Sequence, residues 1–404
     1  MIKNLFLNSF IILLSFHFIA FAQNNCVDSY AKSNRNTPES YIRKVPGDFL
    51  VFMRSNPAAS LAWFRDNAKM VSAKSNPFAK IVSHIGIIAA DAKPDNVDIV
   101  KLKNKSDKTD KADIGIIDVD DGGTGMFLAD LFHTLSYNQV WPNRLSFEDA
   151  ILSYKLGLKG KDLSKVQSLE EILNKTPPRS FNYKKLAEDK EYFKTRLSLS
   201  DLKDTSSEVQ EIYNKNQNLF ENELKEMGTI IHFGVRIKEN GGSMGVPRFS
   251  YLIKENDSDN YKIIEFKAQV DPAASALNLA QSTPDKRIKE VLTNFRPKET
   301  KGNIIKVLNT QTGFYIVREK VKPNFDGGAL PATLDEVQNH LDYAKHMFYW
   351  LGKFHAKQKE KYAEEFNNNF DELSPILEKM VDDHVNYFRE IYNEHQTPTP
   401  TGAI

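Results

Sequence analysis

This sequence is poor in cysteine and has almost no excess charge of either sign. One cysteine, Cys26, stands among 404 residues, which excludes an internal disulfide framework and a zinc finger built on cysteines. Lys and Arg number 54 and Asp and Glu 53, whereas dedicated nucleic-acid-binding proteins usually carry a basic excess. The 19 glycines and 17 prolines are too few for a collagen-like or low-complexity chain. We therefore expect a globular protein with no nucleic acid as partner.

The one strongly apolar stretch lies at the N-terminus. Lys3 precedes an apolar run from Phe10 to Phe21, and Ala20-Phe21-Ala22 has the small-x-small form of a cleavage site. Residues 1–22 are thus predicted to be a signal peptide that exports the protein to the periplasm or the medium. An uncleaved anchor is the alternative, but the run is shorter than the roughly 20 residues of a membrane span. We expect no transmembrane anchor after cleavage.

The rest of the chain divides into two predicted lobes. Residues 23–45 are polar and predicted to form a flexible arm, and residues 397–404 a disordered tail. Residues 46–228 are predicted to form a helical lobe that contains a short hairpin, and residues 321–396 its helical remainder. The segment 229–320 is predicted to be a small lobe, because its apolar and polar residues alternate as in an antiparallel meander with strands at 229–238, 248–254 and 261–270.

A polar hexapeptide follows the buried strand predicted at 85–90, where a strand opening into a loop often carries reactive groups. It reads Asp91-Ala-Lys93-Pro-Asp-Asn96, and Asp118 ends the next apolar strand. Phosphoryl transfer needs a carboxylate that orients or deprotonates the acceptor hydroxyl, and we expect Asp91 in that role. Lys93 is expected to neutralise charge on the transferred group. Mg²⁺ prefers oxygen ligands, so Asn96 and Asp118 are its expected ligands.

The pattern Asp-x-Lys-Pro-x-Asn resembles the catalytic loop of protein kinases, whose metal-binding Asp lies on the next hairpin. The segment from Asp118-Val-Asp120-Asp to Asp130-Leu is similar to the bacterial kinase-like family known as domain of unknown function 2252. That family has Asp-Phe-Asp-Glu followed by Trp-Asp-Leu at the same spacing, so the resemblance implies that Asp120 joins Asp118 at the metal. Phe64-Arg65 is similar to the family's Phe-Arg-Gly segment.

A second group, about 150 residues later in the chain, resembles the nucleotide-binding half of a kinase. The Gly-rich turn 241–245 joins two predicted strands, and such turns let backbone N–H groups approach phosphates closely. The third strand carries Lys267, where kinases keep the lysine that binds phosphates, and the next helix offers Glu290 as its ion-pair partner. The segment 315–319 resembles the family's hinge. The expected nucleotide-binding residues are Gly241, Gly242, Gly245, Lys267, Glu290 and Glu319.

The order of these two groups is the reverse of an ordinary kinase, and the family shows the same circular permutation. The expected fold is α+β: a protein-kinase-like, two-lobed fold in permuted order, with a small antiparallel-sheet lobe and a large helical lobe. Two departures from the family pattern occur. Ala90-Asp91-Ala-Lys93 stands where the family has Gly-Asp-Ala-His, and Asp98 replaces a glycine.

The expected function is Mg²⁺-dependent transfer from ATP or another nucleotide to an unknown hydroxyl acceptor, with AMP transfer as a variant. The alternative is a catalytically inactive, kinase-like binding or scaffold protein of the cell envelope, because export takes the chain to a compartment where ATP is scarce. A third class is a purely structural envelope protein. That class predicts no common cleft for Asp91, Asp118 and Lys267.

Overall fold

The computed structural model describes most of the chain between residues 47 and 396. The described residues are 42, 47–94, 96–102, 112–176, 180–237, 245–256, 258–297, 304–322 and 333–396. The predicted signal peptide and tail lie outside them, as does the predicted arm apart from Ile42.

The first part of the fold combines helices with two short hairpins. Its elements are α1 (Phe49–Arg54), α2 (Pro57–Ser72), α3 (Asn76–Val82), β1 (Ile85–Ile88), β2 (Val97–Lys101), β3 (Ala112–Ile116), β4 (Gly123–Met126) and α4 (Phe127–Val140). β1 pairs with β4 and β2 with β3, in both cases antiparallel. The strand expected at 85–90 is thus present but ends at Ile88, and β2–β3 is the expected hairpin.

Five further helices follow. They are α5 (Phe147–Leu158), α6 (Leu169–Lys175), α7 (Tyr183–Glu188), α8 (Lys190–Leu197) and α9 (Ser207–Lys225). Hydroxyl groups cap several of their first turns: Ser146 accepts a hydrogen bond from the N–H of Asp149, and Ser168 forms a capping box with Glu171. The local sequence therefore sets where these helices begin.

A five-stranded antiparallel sheet forms the centre of the small lobe. Its strands are β5 (Gly228–Ile237), β6 (Pro247–Glu255), β7 (Tyr261–Ala268), β8 (Ile304–Thr310) and β9 (Gly313–Glu319), in the spatial order β5-β6-β7-β9-β8. The helix α10 (Pro284–Phe295) lies between β7 and β8 in the chain, and Pro284 occupies its first turn. The expected three-strand meander is β5–β6–β7, and β9 and β8 extend it beyond β7.

Three helices complete the described chain. They are α11 (Leu334–Gln358), α12 (Glu360–Asn368) and α13 (Phe370–Gln396). Within the described ranges, no helix combines the length and the apolar character that crossing a bilayer requires. With separate helical regions and antiparallel sheets, the protein is α+β.

The helices α7 to α9 share a core with the sheet rather than with the large helical cluster. Phe220 of α9 stacks on Phe266 of β7, with ring centroids 4.3 Å apart. On the opposite face, Leu186 of α7 and Phe193 of α8 pack with Ile263. From the sequence we expected these helices to belong to the large helical lobe, whose first part was predicted to extend to residue 228. Their apolar faces pack on the sheet, which moves the start of the small lobe toward residue 183.

Candidate functional site

The loop that follows β1 is fixed by a buried carboxylate on α4. Asp130 accepts hydrogen bonds from the backbone N–H groups of Ala89 and Ala90, at 2.8 and 2.7 Å, and contacts His355 Nε2 at 3.1 Å. Ala90 has a φ of +60°, a left-handed conformation that costs a residue with a Cβ more than it costs glycine. Ala90 therefore occupies a backbone conformation that glycine would adopt at lower cost.

Asp91, which directly follows this loop, is buried and is contacted by three side chains. Lys93 Nζ lies 2.7 Å from its Oδ1 and 2.5 Å from its Oδ2, and Asn96 Nδ2 lies 2.6 Å from Oδ2. His133 Nε2 lies 3.3 Å from Oδ1, and its Nδ1 lies 3.0 Å from Ser60 Oγ. The structure thus brings together the three predicted residues of the hexapeptide.

His133 is a site residue that the sequence reasoning missed. It lies on α4, three residues after Asp130, and residues three apart share one face of a helix. Since Asp130 was already matched to the family pattern, this spacing was the available signal. One face of α4 therefore contacts both Asp91 and the loop before it.

The surroundings of Asp91 favour its ionised form. Burial acts to raise the pKa of Asp91, but the charge of Lys93 and the hydrogen bond from His133 outweigh burial and lower that pKa below its ordinary value. A carboxylate with a lowered pKa is a weak base at neutral pH. Orienting a hydroxyl group therefore suits Asp91 better than removing its proton.

The second predicted group meets the first across the cleft between sheet and helices. Lys267 Nζ of β7 lies 3.2 Å from Asp118 Oδ1 and also contacts the carboxylate of Asp120. The backbone oxygen of Asn96 accepts a hydrogen bond of 2.8 Å from the N–H of Ile117, which ties this segment to the loop of Asp91. Asp118 and Lys267 are thus direct neighbours in space, although they lie 149 positions apart in the chain.

Lys267 is almost completely buried, with 2% of its surface exposed. Burial lowers the pKa of Lys267 to about 8, although the nearby carboxylate of Asp118 favours the charged form. Gln269 directly follows this strand, and its amide donates a hydrogen bond of 3.1 Å to Asp120 Oδ1. The lysine therefore holds its charge at neutral pH through the carboxylates that it contacts.

The prediction that Lys267 and Glu290 form an ion pair is wrong. Glu290 accepts a hydrogen bond of 3.0 Å from Ser282 Oγ and lies 3.9 Å from Lys286 Nζ on its own helix. Lys267 pairs with Asp118 and Asp120 instead, and these carboxylates compensate its buried positive charge without a third carboxylate from α10.

The residue of α10 that reaches the site is Arg287. Its Nη1 donates hydrogen bonds of 2.7 Å to the carbonyl oxygens of Asp120 and Gly122. Burial lowers the pKa of Arg287 to about 10, against the attraction of Asp121 and Asp271. Arg287 thereby anchors the segment that carries Asp118 and Asp120 to α10.

The structure separates Glu319 from the site. Lys267 is in register with Ile316, and Glu319 with Ile264, so that Lys267 and Glu319 lie on opposite faces of the sheet. Burial raises the pKa of Glu319, and Lys262 opposes that effect. Glu319 does not line the cavity at Lys267.

The Gly-rich turn is described only at its end. Gly241 and Gly242 lie outside the described residues, whereas Gly245 has a φ of +78° and leads into β6. The turn also has the form Gly-x-Ser-x-Gly, the nucleophile motif of α/β-hydrolases. That motif needs a strand followed by a helix, but here the flanking elements are the antiparallel neighbours β5 and β6. The turn therefore lacks the strand-to-helix setting that the hydrolase motif requires.

A small cavity of about 50 Å³ lies where the two groups meet. Its walls come from both lobes and are mostly polar. The lining residues are Arg54, Asp91, Lys93, Asn96, Asp118, Asp120, Asp121, Val246, Lys267, Ala268, Gln269, Val270 and Asp271.

The donor set of this cavity fits Mg²⁺ bound together with a phosphorylated ligand. Among the described residues, no group of three or more His, Cys, Asp or Glu side chains is arranged to hold a metal ion. Mg²⁺ commonly takes one or two carboxylates and completes its shell with water and substrate phosphates. Asp118 and Asp120 would supply the carboxylates, and Asn96 would supply an amide oxygen, since its nitrogen donates to Asp91.

Comparison with protein-family models, curated proteins and solved structures finds no match to this chain.

Proposed function

We propose that this protein is a Mg²⁺-dependent phosphotransferase with a nucleotide donor and a circularly permuted, kinase-like arrangement of two lobes. The observation that carries the proposal is the distance of 3.2 Å between Lys267 Nζ and Asp118 Oδ1 across the cleft. Phosphoryl transfer requires a cation for the phosphates and oxygen ligands for Mg²⁺ within the span of one nucleotide. Asp91 and Asn96 line the same cavity, so residues suited to orienting the acceptor, holding the metal and binding phosphate surround one space.

The order of elements in the small lobe supports the kinase-like interpretation. β5 and β6 are joined by the Gly-rich turn, β7 carries Lys267, and α10 follows β7 before β8. Kinases place a Gly-rich loop over the phosphates, the lysine on the third strand and a helix after it. The agreement extends over about 70 residues of this lobe, which is more specific than any single motif in it.

Each residue has a distinct proposed role. Lys267 binds phosphate oxygens of the donor, and Lys93 neutralises charge on the transferred group. Asp91 orients the acceptor hydroxyl, a role consistent with its lowered pKa because a loose transition state needs little help from a base. Asp118, Asp120 and Asn96 would hold Mg²⁺, which when bound screens the negative charge of the phosphates.

Thermal stabilisation by ligands tests the proposal. MgATP, and then other Mg-nucleotides, should raise the melting temperature of the wild-type protein, and Asp118→Asn should abolish that increase. The matched control is Asp149→Asn, a carboxylate in the first turn of α5 outside the cavity, which should leave the increase unchanged. No increase with any nucleotide, with or without Mg²⁺, would contradict the proposal. Nucleotides labelled at the α- or γ-phosphate then distinguish AMP transfer from phosphoryl transfer.

The second candidate is a kinase-like binding protein without turnover. One observation favours it: Asp91 is already engaged by Lys93, Asn96 and His133, so one of them must move before a hydroxyl can bind. The predicted export, which takes the chain away from cytoplasmic ATP, points the same way. Nucleotide binding without transfer of label to any acceptor, or to water, over hours would favour this candidate.

A further inference from the structure

A second and larger cavity adjoins the site. Its volume is about 390 Å³, against about 50 Å³ for the cavity at Lys267. Binding sites for small molecules span roughly 300–1,000 Å³, so the larger cavity is of the right size for a small organic ligand. The smaller one is far below that range. The cavity at Lys267 therefore accommodates a phosphate group or an ion but not a whole nucleotide.

The two cavities share one wall, the segment from Gln269 to Asp271 that follows β7. The larger cavity lies between this segment, the first turn of α10 and the β8–β9 hairpin. A ligand in the larger cavity would therefore have to extend past Gln269, whose side chain bonds Asp120 and Arg287, to reach Lys267. The arrangement suits a molecule with one anionic end and one larger neutral end.

The sheet face that carries Lys267 leaves no apolar slot for a base on the side of Lys267 away from the larger cavity. Glu265, two residues before Lys267, is completely buried and bonds Arg318 at 2.7 Å and Lys320 at 3.2 Å. Arg248 lies 3.7 Å from the same carboxylate. Burial acts to raise the pKa of Glu265, but these three cations hold it well below its usual range. A neutral ring placed there would separate charges that are already desolvated.

The lining of the larger cavity suits an aromatic base and a ribose. Phe314 is half-buried, belongs to none of the hydrophobic clusters and stacks on no ring within the described parts of the chain. Its ring is therefore available for a planar ligand. The amide of Asn309 and the hydroxyl groups of Ser275 and Thr283 also line the cavity. Amides hydrogen-bond the edges of bases, and hydroxyl groups match those of a sugar.

We infer that this larger cavity holds the nucleoside of the donor nucleotide, with Phe314 against the base and the phosphates directed past Gln269 to Lys267. The inference rests on the proposed function and adds the position of the base. It places the base beside α10 and the β8–β9 hairpin, not against the charged face at Glu265.

Calorimetric titration of the full-length mature protein tests this inference with two probes, MgATP and inorganic tripolyphosphate with Mg²⁺. Phe314→Ala should weaken MgATP binding by roughly tenfold, within the range that stacking of a base on an aromatic side chain contributes, and leave tripolyphosphate binding unchanged. Asn309→Ala, at an exposed position, should act in the same direction. Ile230→Ala, an exposed apolar residue of β5, is the control and should change neither affinity.

The outcomes separate this inference from the proposed function. If Lys267→Met weakens both probes while Phe314→Ala and Asn309→Ala weaken neither, the nucleoside lies elsewhere and the inference is overturned, but the proposed function stands. If the wild-type protein binds neither probe, both are overturned. Loss of MgATP affinity alone in the Phe314 and Asn309 variants supports the inference.

Discussion

Burial of single ionisable groups is a recurrent feature of this protein, and His384 on α13 is the clearest case. Its ring lies among aromatic rings, 5.1 Å from Trp63, 5.0 Å from Phe132 and 4.4 Å from Phe388. Neither ring nitrogen has a hydrogen-bond partner in the described part of the chain. Burial, with a smaller effect of the nearby His133, lowers the pKa of His384 well below its ordinary value. The folded protein therefore keeps this imidazole neutral.

His384 should make the protein sensitive to acid. In the unfolded chain the imidazole binds a proton below about pH 6.5, whereas in the folded chain it does not, so the unfolded state binds more protons and stability falls as pH falls. The loss approaches about 1.4 kcal/mol per pH unit for this group. His384→Leu should remove that part of the decrease between pH 7 and pH 5, measured by urea unfolding. Equal slopes for both proteins would contradict the prediction.

At the scale of elements, the contact between α5 and α11 depends on two glycines. A Cβ on Gly157 would lie 2.0 Å from the backbone oxygen of Tyr349, and one on Gly352 would lie 2.2 Å from that of Tyr154. The two helix backbones thus touch. This close approach places Tyr154 Oη 2.8 Å from His355 Nδ1, and His355 in turn contacts Asp130. Helix packing is thereby linked to the loop that carries Asp91.

Gly352→Ala should destabilise the protein, although alanine in place of glycine ordinarily stabilises a helix by about 1 kcal/mol. The added methyl group forces the helices apart, and we expect a loss of about 1–3 kcal/mol in the free energy of unfolding. The neighbouring exposed residue provides the control, because Lys353→Ala should stay within about 0.5 kcal/mol of wild type. Urea denaturation measures both, and a gain in stability for Gly352→Ala would show that α5 and α11 pack less closely.

Secondary structure was largely predictable from the sequence, but partners across elements were not. The alternation at 229–270 predicted β5 to β7, because alternation is a local signal. The pair of Lys267 with Glu290, which the resemblance to kinases implied, was wrong, because a motif in the sequence does not say which side chain lies opposite another in the folded protein. Arg287, on the same helix, makes the contact with the site instead.

At the scale of the whole molecule, the site exists only where the small lobe meets the helical lobe. Lys267 comes from β7 and Gln269 from the segment directly after it, whereas Asp118 and Asp120 come from the segment after β3. The buried ammonium of Lys267 therefore compensates carboxylates of the opposite lobe. The positive charge of Lys267 therefore attracts both the carboxylates in the cleft and any anionic ligand bound there.

Binding of a triphosphate should weaken as pH rises above about 8. Burial lowers the pKa of Lys267 to about 8, so the side chain loses its proton, and with it the attraction for phosphate, through that range. Tripolyphosphate affinity should fall by up to tenfold per pH unit between pH 8 and pH 9.5. Lys267→Arg stays charged throughout, so its affinity should stay flat. A wild-type profile as flat as that of the arginine variant would show that Lys267 does not bind the phosphates.

The amino-acid sequence alone indicated the α+β class and named the hexapeptide from Asp91 to Asn96, Asp118 and Lys267 as candidate site residues. The class follows from periodicity, and the candidates follow from motif spacing and the resemblance to kinases, all of which depend on a few residues at a time. Tertiary structure alone decided that Lys267 pairs with Asp118 and Asp120, that His133 joins Asp91, and that Glu319 faces away from the site. These contacts depend on how the lobes pack, since burial of apolar surface brings distant segments together and the buried charges then pair with whatever lies within reach.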